Sequence, residues 1–405
     1  LAAREQSNRY VYWEDSARRS KAGLWGGSFA PPGKGGDMAL MVPSRLLYSL
    51  LLLVLGSCTW VELNMPSPAL ENLLAVKDKK PTWQSPLLQQ HHLVGRIWRP
   101  ADGRFVEQKA LAKDLAKSAY ILLGETHDNP DHHLLQARLI RVLATLGRHP
   151  AVVWEMIPET QQPILDRYWA KYSQDASALG ATLGWDASGW PAWRLYQPIA
   201  EAAMAARLPM YAAGVSKTVM RALARGKPSF GFAKRRRALG LHIPFPEALR
   251  QHSLEQLYQS HCELMPLEAL EPLLNAQQSK DAVLAEHMLA SGVDDGSFLI
   301  AGAGHVRKDL AVPLFLARHQ PGVRVASVAF LEVQDGVLDP TDYAAGFSAP
   351  VLPFDYVWFT PRADDQDHCA KLKKNWSPPK DTKTDATEAP AAPPSPAERP
   401  APAKS

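Results

Sequence analysis

Two short motifs of the form G-x-x-H each follow a run of apolar residues. Gly124-Glu125-Thr126-His127 follows the run 119–123, and Gly302-Ala303-Gly304-His305 follows the run 297–301. Continuous apolar runs of this length are typical of strands buried on both faces of a parallel sheet, and such sheets bind ligands beyond the carboxyl ends of their strands. Glycine allows a sharp turn there, while histidine offers a metal ligand, a proton acceptor or a hydrogen-bond donor. The repeated context predicts that His127 and His305 share one site.

Carboxylates accompany these histidines. Glu125 lies inside the first motif, and Glu155 ends a third apolar run, 151–154. If the strands are parallel, both glutamates lie at the same edge of the sheet as the histidines. Two imidazoles with carboxylates suit a divalent metal bound by His127 and His305, and they equally suit a hydrogen-bonded pocket without metal. A carboxylate at the end of a buried strand needs a partner, and Arg307 is the expected counter-charge of Glu155.

Two further histidines follow the first motif. Pro130 suits the first turn of a helix with Asn129 as its cap, which places His132 and His133 in that turn near the strand end. Contact with a ligand and a solvated helix start both remain open for this pair.

An aromatic segment supplies candidate apolar walls. Trp185, Trp190, Trp193 and Tyr196 lie within twelve residues of one another. Three indoles and a phenol could line a flat apolar ligand such as a porphyrin, although such residues also commonly form core.

Strands alternate with helices along the chain. This order predicts an α/β fold with a mostly parallel sheet flanked by helices and right-handed crossovers. Residues 245–291 form an insertion with heptad-like leucines, which predicts a helical cap over the carboxyl ends of the strands. The predicted strands are 119–123, 151–155, 209–213, 297–301, 323–333 and 355–359.

The beginning of the sequence predicts export. Arg45 precedes the apolar run 46–55, and Gly56-Ser57-Cys58 ends it, which is the pattern of a secretory signal. The run is shorter than the roughly 20 apolar residues of a membrane span. Leu55-Gly56-Ser57-Cys58 also resembles the lipobox of bacterial lipoproteins, which implies that Cys58 is acylated and becomes the first mature residue. A simple signal peptide with an incidental cysteine is the alternative. Thr59, where an aspartate would signal inner-membrane retention, favours a periplasm-facing lipoprotein of the outer membrane.

The cysteine content and the net charge limit the class of protein. Cys262 and Cys369 imply no disulfide framework, and a bridge between them is allowed but unsupported. A net charge of +4 is too small for this length to suggest nucleic acid as a partner.

The sequence divides the chain into five segments. They are 1–40, interpreted as translation upstream of a true start at Met38 or Met41; 41–57, the signal peptide; 58–84, a linker; 85–361, the folded domain; and 362–405, a disordered tail rich in proline, alanine and lysine.

Five motifs resemble those of the ChaN-like haem-binding lipoproteins, a branch of the superfamily that contains the Tiki and TraB proteins and the erythromycin esterases. The motifs are GETHDNPDHH, VVWEM, WRLYQPIAEAA, QSKDAVLA (278–285) and GAGHVRKDLAVP, and the resemblance covers about residues 90–335. It implies an α/β fold with haem binding in iron uptake for the ChaN branch, and metal-dependent hydrolysis for the Tiki branch. The family's motif positions correspond here to Gly124, Glu125, His127, Glu155, Tyr196, Gly302, His305 and Arg307.

The sequence therefore favours a lipid-anchored bacterial haem-binding protein that assists haem or iron uptake. Its expected partners are haem, the membrane through acylated Cys58, and a haem-uptake receptor or a second copy of the chain. The alternative is a metal-dependent hydrolase in which His127 and His305 bind the metal and Glu125 or Glu155 acts as a base toward bound water. The expected haem-binding residues are Glu125, His127, His132, His133, Glu155, Tyr196, His305 and Arg307.

Overall fold

A computed structural model describes residues 82–172, 175–227, 230–292 and 295–375. Three predicted segments lie outside these residues: the upstream segment 1–40, the signal peptide with the predicted lipidation site Cys58, and most of the linker. The chain beyond residue 375 also lies outside them. Within the described ranges, no helix combines the length and the apolar character needed to cross a membrane.

Eight strands form one sheet in the order β2-β1-β8-β7-β3-β6-β4-β5. The six strands from β8 to β5 are parallel, whereas β1 pairs antiparallel with both β8 and β2. The strands are β1 (Ile97–Arg99), β2 (Arg104–Val106), β3 (Tyr120–Glu125), β4 (Ala151–Pro158), β5 (Met210–Gly214), β6 (Ser297–Gly302), β7 (Val325–Glu332) and β8 (Tyr356–Thr360).

Helices cover both faces of the sheet. One buried apolar cluster includes residues of α1, α2, α3 and α5, and a second on the other face includes residues of α9 and α10. The helices of the described residues are α1 (Gln108–Leu115), α2 (Pro130–Thr145), α3 (Gln162–Lys171), α4 (Leu179–Thr182), α5 (Trp193–Ala205), α6 (Lys217–Ala224), α7 (Phe230–Arg235), α8 (Glu247–Ser260), α9 (Leu267–Ser291), α10 (Val312–His319) and α11 (His368–Asn375).

The predicted α/β architecture is confirmed, including the six parallel strands. The antiparallel pair β1–β2 was not predicted, because each strand has three residues and is too short to show the alternation of apolar and polar residues that indicates a strand. β3 and β6 are neighbours in the centre of the sheet, and their register pairs Glu125 with Gly302. The two G-x-x-H motifs therefore lie side by side.

The helical insertion forms a hairpin of α8 and α9. The second half of α9 packs on the sheet through Ala282, Val283 and Met288, while Lys280 and Asp281 contact groups at the strand ends. Since Met288 meets Ser297 at the start of β6, α9 runs antiparallel to β6. Its first half therefore extends beyond the carboxyl ends of the strands, where Leu254, Leu270 and Leu274 form a small separate apolar cluster with α8.

Two interpretations of the C-terminal region are corrected. Cys262, in the turn between α8 and α9, forms a disulfide with Cys369. The two cysteines are 107 positions apart, and the chain returns from β8 to the tip of the helical hairpin before it reaches Cys369, which sequence spacing does not reveal. Residues 368–375 form α11, so a disordered tail does not begin at residue 362.

Candidate functional site

Glu125 ends β3 with a side chain that is fully buried between two histidines. Its Oε1 lies 2.9 Å from His127 Nδ1, and its Oε2 lies 3.0 Å from His133 Nδ1. Burial alone would raise the pKa of Glu125, but His133 and His127 lower it to about 2, so the group is a carboxylate at neutral pH. Burial alone would lower the pKa of His127, but the Glu125 and Glu155 carboxylates outweigh it and raise that pKa above its ordinary value. Glu125 thereby fixes the ring of His127, whose side chain is 33% exposed.

Glu155 is the second buried carboxylate, and it lies across Gly302 from His127. Its Oε2 accepts a hydrogen bond of 2.7 Å from the Gly302 backbone N–H, and its Oε1 pairs with the Lys280 ammonium. The pairing of β4 with β6 extends only to Trp154 and Ile300, which leaves the Gly302 N–H free to donate to Glu155. Burial raises the pKa of Glu155, but Lys280 and His305 outweigh it and hold that pKa well below its ordinary value.

His305 completes the cluster with its own carboxylate. Its Nδ1 lies 2.6 Å from Asp281 Oδ1 and 3.2 Å from Gln277 Nε2, and its Nε2 lies 3.4 Å from Glu155 Oε1. Burial alone would lower the pKa of His305, but Glu155 and Asp281 raise it to about 9. Glu155 and His305 thus form one network with Gly302, Lys280 and Asp281 at the strand ends, and the Glu125–His127 pair lies beside it across Gly302.

Glycine serves this site by its lack of a side chain. Neither Gly124 nor Gly302 adopts a positive φ, so backbone conformation alone does not require glycine at these two positions. A Cβ on Gly124 would lie 2.3 Å from the side chain of Val306, and one on Gly302 would lie 2.9 Å from His127 Nε2. Both motifs need glycine because neighbouring groups come too close for any Cβ.

Among the aromatic residues of the predicted wall, Trp190 reaches the site. Its ring meets the His127 ring edge-to-face, with 4.7 Å between centroids, and Lys280 Nζ lies 5.9 Å from its centroid. Trp185 and Trp193 are buried core residues, whose ring N–H groups donate to the carbonyls of Pro191 and Ala176. The aromatic spacing indicated an apolar cluster, but only the half-buried Trp190 can face a ligand.

A comparison with known protein families covers most of the folded domain. Residues 111–316, just over half of the chain, match the protein family described as "Haem-binding uptake, Tiki superfamily, ChaN". The chain belongs to the ChaN family. No curated protein matches it.

A solved structure with this fold is similar to the chain. ChaN of Campylobacter jejuni, whose structure is described as showing cofacial haem binding, is 21% identical, with a TM-score of 0.50 over 65% of this chain and 95% of that one. A mutant of the erythromycin esterase EreC in its open conformation is 14% identical, with a TM-score of 0.38 over 67% of this chain and 99% of that one.

The residues at the strand ends fit the parts of a haem. Iron accepts an imidazole nitrogen, and the Nε2 of His127 makes no hydrogen bond within the part of the chain that the structure describes. The half-buried indole of Trp190 offers an apolar surface for a macrocycle, and the Lys280 ammonium lies beside that indole.

Tyr196 does not reach this surface. Its side chain is fully buried, its ring packs 4.2 Å from that of His133, and its hydroxyl donates to the His127 carbonyl at 3.3 Å. Burial, followed by the Glu125 and Glu155 carboxylates, raises the pKa of Tyr196 far above its ordinary value. A phenol held in this way positions His127, and the structure gives it no path to an iron.

His132 and His133 are structural, and both interpretations of them are corrected. His132 is fully buried: its Nδ1 accepts from the Thr126 N–H at 2.8 Å, and its Nε2 donates to Thr360 Oγ1 at 2.8 Å. His133 donates from Nε2 to the His127 carbonyl at 3.0 Å while its Nδ1 faces Glu125. The first turn of α2 is therefore neither solvated nor open to a ligand, and it supports the Glu125–His127 pair from within.

Arg307 is not the counter-charge of Glu155. It donates to both carboxylate oxygens of Asp309, at 2.9 and 2.7 Å, and also bonds Gln256 and the Phe347 carbonyl. Through Gln256 it ties α8 to the sheet. The partner of Glu155 is Lys280, because α9 passes directly over the strand ends.

Lys280 and Asp281 are the site residues that residue-level reasoning missed. The available signal was a Lys-Asp pair directly before the apolar residues 282–285, on a helix that must bury that apolar face.

Within the described ranges, no group of three or more His, Cys, Asp or Glu side chains is arranged to hold a metal ion.

Proposed function

We propose that this ChaN-family chain binds haem at the carboxyl ends of β3, β4 and β6, with His127 and Trp190 as its direct contacts. The observation that supports this most is the His127 ring, which is held by buried Glu125, packed against Trp190 and exposed at its surface. Bound haem supplies an iron that accepts a nitrogen ligand. The chain supplies the oriented imidazole, the indole surface and the buried carboxylates that hold them in place.

Haem titration of the full chain tests this proposal. We expect a shifted Soret band with the unaltered protein, and an affinity at least about tenfold weaker in His127→Ala and Trp190→Ala, a loss of about 1.4 kcal/mol or more. His149→Ala is the matched control, because His149 is an exposed histidine two residues before β4, at the amino ends of the parallel strands and therefore away from the site. An absent Soret shift, or an equal loss in the control, contradicts the proposal.

We further propose that the chain acts in haem or iron uptake as a lipoprotein of the outer membrane, anchored by Cys58. The support is the lipobox-like sequence 55–58 and the family membership. Mass spectrometry of the membrane-extracted protein should find acylated Cys58 at the mature N-terminus. Cys58→Ser should lack the acyl groups and separate into the soluble fraction, while an unmodified start at another residue would refute the anchor.

A second candidate function is ester or amide hydrolysis. The favouring observation is that Glu125 binds His127 Nδ1 and leaves Nε2 unbonded, which is the arrangement of a general base toward water. A chromogenic ester is the probe: Glu125→Gln and His127→Ala should each remove turnover if this function is present. Turnover that a chelator abolishes would support the metal-dependent form with His127 and His305 as ligands.

A further inference from the structure

One stretch of the sequence concentrates positive charge. Residues 202–246 contain nine Lys and Arg residues and no Asp or Glu. The whole chain has 45 Lys and Arg against 41 Asp and Glu, so the rest of the sequence has 36 against 41 and a net charge of −5. The modest total charge therefore conceals a segment that is basic throughout. The segment includes β5, α6 and α7, and it ends before α8.

The arginines of α6 lie on the side of the helix that faces away from the core. Arg221 and Arg225, which directly follows the helix, are four positions apart, and both are exposed. Val219 and Leu223 lie on the opposite side and pack against the apolar cluster that α9 and α10 share with the sheet. Helix α6 is thus amphipathic, with its apolar side chains inward and its arginines outward.

The segment from α7 to residue 239 repeats this arrangement. Phe232 and Leu239 are buried in the same apolar cluster, whereas the cations between them include exposed side chains. Both parts of the segment therefore present cations on the outer surface of the same layer of the fold. We call these exposed side chains the basic face: Arg221, Arg225, Lys227, Lys234, Arg236 and Arg237.

The carboxylates that lie nearest to α7 are already paired. Arg235 is half-buried, and it binds Glu159 at 2.8 Å and also contacts Glu286. It therefore fixes α7 to α9 and to the segment that follows β4, and it neutralises both glutamates. Four members of the basic face form no ion pair with any residue that the structure describes: Arg221, Arg225, Lys227 and Arg237.

An apolar turn borders the basic face. Arg236 donates to the Leu241 carbonyl at 3.0 Å. Arg318 of α10 donates to the carbonyls of Gly240 and Ile243 at 2.8 and 3.2 Å, which fixes the turn to the domain. Ile243 is nevertheless 47% exposed. Exposed cations beside a fixed apolar side chain suit a lipid surface, because cations bind head-group phosphates while an apolar side chain enters the boundary beneath them.

We propose that the basic face and Ile243 dock on a bilayer surface that carries anionic head groups. A polynucleotide offers the same phosphate charge but no apolar layer for Ile243, so a lipid surface fits this part of the chain better. The proposal rests neither on haem binding nor on the lipid anchor, although it is compatible with both.

Docking of this face adds orientation to the proposed anchor. The 23 residues between Cys58 and residue 82 could span up to about 80 Å at full extension, so an anchor at Cys58 limits distance but not orientation. Contact through α6 and α7 selects one orientation, in which the side of the sheet covered by α9 and α10 faces the lipid.

Vesicle co-sedimentation of the full chain with Cys58→Ser tests the proposal, since this variant has no acyl group to hold it on lipid. The probes are vesicles of phosphatidylcholine alone and vesicles of phosphatidylcholine mixed equally with phosphatidylglycerol. We expect at least about tenfold stronger binding to the anionic vesicles, because each cation near such a surface changes the partitioning about fivefold. The preference should decline as salt is added.

Variants of the basic face identify the surface that is responsible. Changing Arg221, Arg225 and Arg237 together to glutamine should reduce the preference about tenfold or more, and changing them to lysine should retain it. Ile243→Ser should weaken binding to the anionic vesicles about threefold. The matched control changes three exposed cations on helices of the opposite face of the sheet to glutamine: Lys113, Arg141 and Arg167.

Each outcome decides the proposal. Equal binding to both kinds of vesicle overturns it, and so does a preference that survives the glutamine variant or disappears in the lysine variant. An equal loss in the control also overturns it, because total charge is then responsible. Displacement from the vesicles by a DNA duplex at equal phosphate concentration would assign the face to nucleic acid instead. Haem titration of the glutamine variant should give unaltered affinity, which keeps this test separate from haem binding.

Discussion

At the scale of single residues, the site depends on an absent side chain. Gly302 lies between Glu155 and His127, and a Cβ on it would come within 2.9 Å of His127 Nε2. The Gly302 N–H meanwhile donates to Glu155. One glycine thus sets how closely the two halves of the network approach each other.

Gly302→Ala should displace the His127 ring while the fold remains intact. We expect haem affinity to fall about tenfold, which corresponds to about 1.4 kcal/mol. Haem titration with thermal unfolding measures both properties. Gly304→Ala is the control, since a Cβ there meets no atom within 4 Å. Equal haem affinity in the two variants would show that the close approach at Gly302 does not matter.

The protonation of His305 makes stability depend on pH. Its pKa of about 9 in the folded protein lies above the ordinary value of 6.5, because Glu155 and Asp281 outweigh the effect of burial. The stabilisation is therefore complete below about pH 6.5 and is lost as the pH rises through about 9. The shift corresponds to about 3 kcal/mol at most. Urea unfolding at pH 6.5 and pH 9.5 should show a decrease that is absent in His305→Gln and retained in His149→Gln.

At the scale of elements, α2 is anchored by the residue that caps its N-terminus, Asn129. The Asn129 side chain accepts from the N–H groups of Asp131 and His132, and it also donates to Glu332 and the Pro361 carbonyl. Its amide therefore caps the helix and ties it to the last residue of β7 and to the residue that follows β8. This connection keeps the first turn of α2 beneath Glu125.

Asn129→Ala should destabilise the protein more than removal of an ordinary cap. A cap contributes about 1 kcal/mol, and the unsatisfied buried groups left behind cost about 1–3 kcal/mol more. Ser216→Ala is the comparison, because Ser216 caps α6 through a single bond to the Val219 N–H. Urea denaturation should give a loss for Asn129→Ala at least about twice that for Ser216→Ala; similar losses would mean that the links beyond the helix contribute nothing.

The sequence predicted the strands that carry the site but not all of its contacts. Two apolar runs followed by G-x-x-H, and a third that ends in Glu155, placed Glu125, His127, Glu155 and His305 at the carboxyl ends of the strands, because parallel strands bring these ends together. The partner of Glu155 depended on the exact path of α9, for which the Lys-Asp pair before residues 282–285 is only an indirect signal. The sequence also does not show which of these side chains are buried. Tyr196 and His132 were therefore predicted as candidate ligands, although both lie in the core.

At the scale of the whole molecule, a disulfide joins the tip of the α8–α9 hairpin to α11. The tip has its own small apolar cluster, separate from both faces of the sheet. In addition, Arg307 holds α8 through Gln256. The Cys262–Cys369 disulfide therefore secures the part of the cap that packs least against the rest of the domain.

Removal of this disulfide should lower the free energy of unfolding. A bridge that closes a loop of 107 positions constrains the unfolded chain by about 5 kcal/mol in the chain-entropy description. Cys262→Ser and Cys369→Ser should each lower Tm, and the double variant should be no less stable than either single one. Reductant should lower the Tm of the unaltered protein to that of the variants; a protein whose Tm ignores reductant would show that the bridge does not stabilise it.

The same disulfide changes what a protease can do to the chain. The segment between Cys262 and Cys369 includes β6, β7 and β8, and therefore His305. A single cut anywhere in this segment breaks the backbone, yet both fragments stay joined through the sulfur atoms. On a gel, such a nicked molecule should migrate as one band without reductant and as two with it. A cut in the loop before β5 should instead release a fragment under either condition once the protein is denatured.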